Sequence, residues 1–157
     1  TGISTIDYLH QSVVALLGLR DTALHGSPAH AGTSTVADLA VVVGQLLEPG
    51  RLIHRSTLDD ATAVAFPGLR GVVPGFGMQD PCDWGTGFEL KSTKSPHWTG
   101  SANSPGAFGH FGQAGTMFWV DPAARLGLVA LSDRPFGPWA AQAWPTLSDA
   151  VLDRFAG

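Results

Sequence analysis

The chain has 157 residues, 44% of them apolar and 14% charged, which is the size and core content of one folded domain and not of a disordered tail. Nine Lys and Arg stand against thirteen Asp and Glu, a net charge of −4 with no basic run, which argues against nucleic acid as a partner. A single cysteine, Cys82, excludes an intramolecular disulfide framework and a thiolate-rich zinc site.

The first predicted helix begins near Ser4, where Ser4 and Asp7 have capping-box spacing. Ile6, Leu9, Val13 and Leu16 then recur on one face, and Gly18 ends it. The second begins at Ser34-Thr35 with Asp38 three residues on, runs along a stripe of Leu39, Val42, Val43, Leu46 and Leu47, and stops at Pro49-Gly50. The third is short, from about Ser56 to Ala65. The pattern then turns to strands. Thr86 to Leu90 and Ala107 to Phe111 are candidates. Thr116 to Asp121 alternates Met117 and Trp119 with Phe118 and Val120, so both faces look covered. Leu126 to Leu131 is a nearly continuous apolar run, expected to be buried on both faces. Asp121 to Arg125 reads as the turn of an antiparallel hairpin joining these two strands. A last helix places Leu147, Val151, Leu152 and Phe155 on one face; Pro145 either starts it or kinks a longer one from Pro138. The fold class expected is α+β, with helices packed on an antiparallel sheet. Residues 1–83 are mainly helical, and 84–157 hold the strands and the last helix.

No apolar stretch is long enough to cross a bilayer, and no signal peptide is visible. The chain starts at Thr1 instead of Met, which raises the expectation of further chain upstream.

The segment from Phe108 to Thr116, with glycines at 109, 112 and 115 around His110, is the most suggestive for chemistry. Small residues let another group approach a strand backbone closely, and free N–H groups beside a histidine suit an oxyanion. A Gly-rich turn with a locally bonded histidine fits the same letters. His25 and His30 lie in a Gly/Ser/Pro loop without supporting carboxylates, which reads as a solvated loop; no metal site is expected. His97-Trp98 sits in a polar loop that can line a groove. Trp84, Trp119, Trp139 and Trp144 are most simply core or rim aromatics, and Cys82 reads as a buried, inert thiol. No Ser precedes a Lys by three positions, since the only lysines are Lys91 and Lys94. There is also no G-x-S-x-G, no H-E-x-x-H and no phosphate-binding glycine loop.

The stretch Phe108-Gly109-His110-Phe111-Gly112-Gln113-Ala114-Gly115-Thr116-Met117-Phe118-Trp119-Val120-Asp121-Pro122, followed by Leu126 to Arg134, resembles the serine β-lactamase-like superfamily. The resemblance is to its class C branch of penicillin-binding proteins, D-Ala-D-Ala peptidases and esterases. Three further segments agree in order: Leu16 to Thr22 with the family's "PLGM-x-DT", Ser34 to Ala40 with "ST-x-x-DLA", and Trp84 to Glu89 with "YGLGF". Of the family's three catalytic motifs, only the third is present, as His110-Phe111-Gly112. Phe111 replaces the usual Thr or Ser. Ser101-Ala102-Asn103 matches the second motif in letters but lies too late in the order, and reads as coincidence.

The resemblance implies the C-terminal half of a β-lactamase/transpeptidase-like fold, with the acylated serine and its lysine upstream. It implies His110 as a catalytic residue that orients substrate or assists proton transfer. Phe111, Gly112 and Gln113 would form the substrate-binding edge, with the Gln113 N–H as one oxyanion donor. Implied substrates are acyl-D-Ala peptides, β-lactams, peptidoglycan-type peptides or small esters, with no cofactor. The family's usual place is the cell envelope. In the family one edge of the last strand pairs with an N-terminal strand, so this chain is expected to self-associate through that edge. Two other readings stand beside the hydrolase: a binding module that kept the fold and lost the chemistry, and a purely structural domain.

Overall fold

Residues 2–157 are described in the computed structural model. The first helical stretch consists of α1 (Thr5–Leu9), a π-helical turn over His10–Val14 and α2 (Ala15–Leu17). Ser4 Oγ accepts the Asp7 N–H at 3.1 Å, and Gly18 closes the stretch at a φ of 68°, a left-handed conformation glycine takes at no steric cost. A two-stranded ribbon follows, β1 (Ala23–Leu24) with β2 (Gly32–Thr33). Then come α3 (Val36–Leu47) and α4 (Arg55–Thr62). Thr35 Oγ1 caps α3 by accepting the Asp38 N–H, and the His54 side chain caps α4.

Asp38 joins two of the segments that carry the family resemblance. Its Oδ2 accepts the Thr22 hydroxyl at 2.7 Å and the Asp21 N–H at 2.8 Å. The start of α3 is thereby tied to the turn after α2.

A hairpin of β3 (Gly71–Val73) and β4 (Gly77–Gln79) precedes the main sheet. That sheet is antiparallel throughout, in the order β5-β6-β7-β8. Its strands are β5 (Glu89–Leu90), β6 (Phe108–Gly112), β7 (Thr116–Asp121) and β8 (Leu126–Ala130). The helix α5 (Pro138–Phe155) ends the chain as one long element with Pro145 inside it.

The sheet is covered on both faces. Phe108 and Val120 pack with Val43 and Leu46 of α3 and Leu58 of α4. Phe111, Met117 and Trp119 pack on the other face with Ala140, Trp144 and Leu152 of α5. The alternation along β7 follows from the period-2 geometry of a strand. Gly109 is required where it stands, because a Cβ there would collide with the Phe118 carbonyl of β7.

Two expectations need correction. Leu126 to Leu131 is only partly buried: Leu126, Leu128 and Ala130 pack on the α5 side and Val129 on the α3 side, but β8 is the edge of the sheet, its residues are half-buried, and Leu131 is 37% exposed. The strand expected over Thr86 to Leu90 shrinks to Glu89–Leu90, because Gly85 and Gly87 turn the chain back on itself through Gly85 N–H to Phe88 O at 2.9 Å.

Candidate active site

The strand β6 is paired unequally on its two sides. Towards β7 every residue from Phe108 to Gly112 has a partner. Towards β5 only Phe108 and Gly109 do, opposite Leu90 and Glu89. From His110 onward that side is an open edge, and an extended chain can add to such an edge through main-chain hydrogen bonds.

The turn that follows is held firmly. Gly115 donates to the Gly112 carbonyl at 3.0 Å, and Phe136 donates to the Gln113 carbonyl at 3.0 Å. Gly115 has a φ of 80°, and a Cβ on it would run into the Arg134 carbonyl. Only glycine combines that conformation with that approach. The Gln113 N–H itself is given to no acceptor among the described residues.

His110 projects from the face of β6 that carries Phe108, and it is exposed. Its ring meets the Trp84 ring edge-on at 5.8 Å between centroids. Phe111 projects to the other face. Its ring lies in the core against Phe136 at 4.9 Å and Trp144 at 5.6 Å, so Phe111 offers the edge its backbone and not its side chain. The position that holds Thr or Ser in the resembled motif is here a core anchor.

A cleft of about 670 Å³ opens along this edge. His110, Gly112 and Gln113 form one side, Val72 and Pro74 of the β3–β4 hairpin another, and His30 lies on its rim. On the α3 side of the same strand, a smaller apolar hollow of about 230 Å³ lies between Leu39 and Val42 of α3 and His110 and Phe118 of the sheet. The edge can therefore be reached from two directions.

The other sequence candidates are placed differently. His25 is exposed, and no cluster of three or more metal-ligating side chains exists among the described residues. Cys82 is buried. Ser101 and Asn103 serve the scaffold: Ser101 Oγ donates to Asp149 at 2.9 Å, and Asn103 Nδ2 donates to Asp121 at 3.1 Å. His97 borders a cleft of about 500 Å³ and Trp98 does not; both side chains are buried and bonded to Glu89. Sequence reading missed His30, Trp84 and Glu89 as residues around the cleft. The spacing of Trp84 and Glu89 on either side of a Gly-rich turn is the one local signal of their pairing, which the structure shows as a bridge between them.

Comparisons with known proteins bear on the family and the fold. The β-lactamase family model matches residues 1–152. A β-lactamase (Mb2281c) from Mycobacterium bovis is 52% identical, superposes with a TM-score of 0.94, and is matched over 99% of this chain and 58% of its own. Simvastatin synthase from Aspergillus terreus shares the fold at a TM-score of 0.77 and 18% identity, over 99% of this chain and 50% of its own. An N-acetylmuramyl-L-alanine amidase of Bacillus subtilis is 30% identical over 74% of this chain. A Salmonella gallinarum protein with the provisional name D-alanyl-D-alanine carboxypeptidase is 30% identical over 75%. The chain spans about a quarter of the length of these two curated relatives.

Proposed function

Because the chain belongs to the β-lactamase family, we propose that it supplies the His110 side of an acyl-transfer site in a serine hydrolase. The observation that carries this reading is the open half of β6, with an exposed histidine and an unengaged Gln113 N–H side by side on one cleft. The acyl group of a substrate lies along the edge from His110 to Gly112. Its carbonyl oxygen accepts the Gln113 N–H, which supplies one of the donors that stabilise a tetrahedral oxyanion. No Ser-x-x-Lys occurs among these residues, so in this reading the second donor and the nucleophile come from a segment outside them. His110 orients the substrate and passes a proton through a hydroxyl of that missing segment.

The substrate class we favour is an acyl-D-Ala peptide or a small ester, ahead of a β-lactam. Histidine instead of lysine in the third motif supports this, as do the names of the peptidoglycan-related relatives. Val72, Val73 and Pro74 give the cleft an apolar wall suited to an acyl group. The same relatives support a place in the cell envelope; no helix among the described residues is long and apolar enough to cross a membrane.

The test is made in a longer form of the protein that joins this chain to a Ser-x-x-Lys segment. His110→Ala should lower kcat/KM for a D-Ala-D-Ala peptide or an activated ester by about 100-fold, in the range of a lost proton-transfer group. Unchanged turnover would overturn the assignment.

A further inference from the structure

Behind the cleft wall lies a cluster of ionisable side chains that the proposed chemistry does not use. Glu89, Lys94 and His97 are all buried. The Glu89 carboxylate receives three donors. Trp98 Nε1 reaches one oxygen at 2.8 Å, and His97 Nε2 at 3.2 Å and Lys94 Nζ at 3.4 Å converge on the other. Lys94 also donates to the carbonyl oxygens of Asp83, at 2.6 Å, and Leu90. His97 Nδ1 lies 2.8 Å from the Thr99 hydroxyl and 3.3 Å from the Thr99 N–H, which leaves Nε2 facing Glu89. No buried side-chain polar atom among the described residues lacks a partner.

A buried ion pair is a weak source of stability, because well-packed apolar side chains of the same volume do as well or better. What such a cluster does provide is fixed position. Glu89 is the residue through which position reaches the site. Its backbone pairs with Gly109, the neighbour of His110, and bridges to Trp84. Its carboxylate holds the Trp98 indole. The Trp84 ring rests on His110 at 5.8 Å, and the Trp98 ring rests on Phe111 at 5.7 Å. Two consecutive residues of the open edge, His110 and Phe111, are therefore each in ring contact with an indole held at Glu89.

We propose that Glu89, neutralised by Lys94 and oriented by His97, is the positioning residue of the His110 edge. The proposal rests on the reading of that edge as the substrate site. A plain structural ion pair would support folding but leave the His110 ring in place once the cluster is neutralised without loss of fold.

The experiment is an NMR comparison of the 157-residue chain with a double variant, Glu89→Gln with Lys94→Met, which removes both charges together. The reporter is the ring-current displacement of the His110 ring protons by Trp84, calibrated with Trp84→Leu. In the folded double variant these signals should move at least halfway to their Trp84→Leu positions, and the amides of residues 110–113 should broaden or double. Signals at wild-type positions in a folded double variant would overturn the proposal. If the double variant fails to fold, Glu89→Asp decides, since it keeps the charge and withdraws the carboxylate by one methylene. Displaced His110 signals support the positioning role, and unmoved signals overturn it. The readout needs no turnover. A longer protein indifferent to His110→Ala would sink the proposed function and leave the positioning of His110 by Glu89 to be judged on these signals alone.

Discussion

The indole of Trp84 meets the imidazole of His110 edge to face, with centroids 5.8 Å apart and planes inclined by 69°. Neither ring spends a polar atom on the contact, so both nitrogens of His110 stay available to a substrate or a neighbouring hydroxyl. Such aromatic pairs contribute about 0.5–1.5 kcal/mol beyond their burial. Trp84→Leu should therefore lower kcat/KM of the longer protein by about tenfold, while the melting midpoint of this chain falls by only a few degrees. Steady-state kinetics alongside thermal melts check it; unchanged kinetics would detach Trp84 from the site.

The hairpin between β7 and β8 depends on Asp121 more than on the proline beside it. Asp121 is fully buried and accepts from Ser104 N and Ser104 Oγ at 2.7 Å each, from Asn103 Nδ2, and from the N–H groups of Ala123 and Ala124. Removing an acceptor that satisfies one buried and several part-buried donors costs roughly 3 kcal/mol, which is the loss expected for Asp121→Ala in urea melts. Pro122→Ala frees only the unfolded chain and should cost about 1 kcal/mol or less. A larger loss for Pro122→Ala than for Asp121→Ala would contradict this division.

Stability should fall in two stages on acidification. Burial holds the His97 imidazole below its usual value, with Glu89 opposing and Lys94 adding to the depression. The unfolded chain takes up that proton near about pH 6.5, and the folded chain only at lower pH. Stability is therefore level above about 6.5 and declines as pH falls towards the folded value. Four carboxyls also sit below their usual range. In Asp38 the Thr22 hydrogen bond is the largest influence. In Glu89, Asp121 and Asp149 burial pulls upward most strongly, but the hydrogen bonds they accept outweigh it. Their stabilisation is complete above about pH 4 and is lost as pH drops through the lower folded values. Thermal midpoints should be flat above about 6.5, decline gently below it and fall steeply below about 4, where the carboxyls titrate. His97→Gln should flatten the gentle stage.

The outer side of β8 has no partner strand among the described residues, and Leu126–Ala130 carries no charge along it. An apolar, unpaired strand edge invites pairing with another chain. Light scattering at high concentration should give a mass above the 16.4 kDa of one chain. A single 16.4 kDa species at all concentrations would contradict it.

Much of this architecture is local and so could be read from the letters. Thr35 with Asp38, the alternation along Thr116–Asp121 and the turn at Asp121 each act within a few residues of themselves. The glycines around His110 likewise mark a tight backbone before any fold is known. The β1–β2 and β3–β4 ribbons escaped because two or three residues show no period, and Gly71 and Gly77 mask the rest. The burial of Leu126–Ala130 was misjudged because composition does not say which strand is outermost. Glu89, Lys94 and His97 look like surface letters in a polar loop. Only the return of the chain from β5 to β6 brings them together, and the same return decides that β6 is paired at Gly109 and open at His110.

The most direct measurement is intact mass after incubating this chain with a labelled penicillin or an activated fluorophosphonate. Acylation needs a serine with a base in hydrogen-bond reach, and Ser101 and Ser104, the serines nearest in sequence to the His110 strand, are committed to Asp149 and Asp121. The expected result is no stoichiometric gain in mass. A gain of one label on one mapped serine would place the nucleophile inside these 157 residues and contradict the division of the site proposed here.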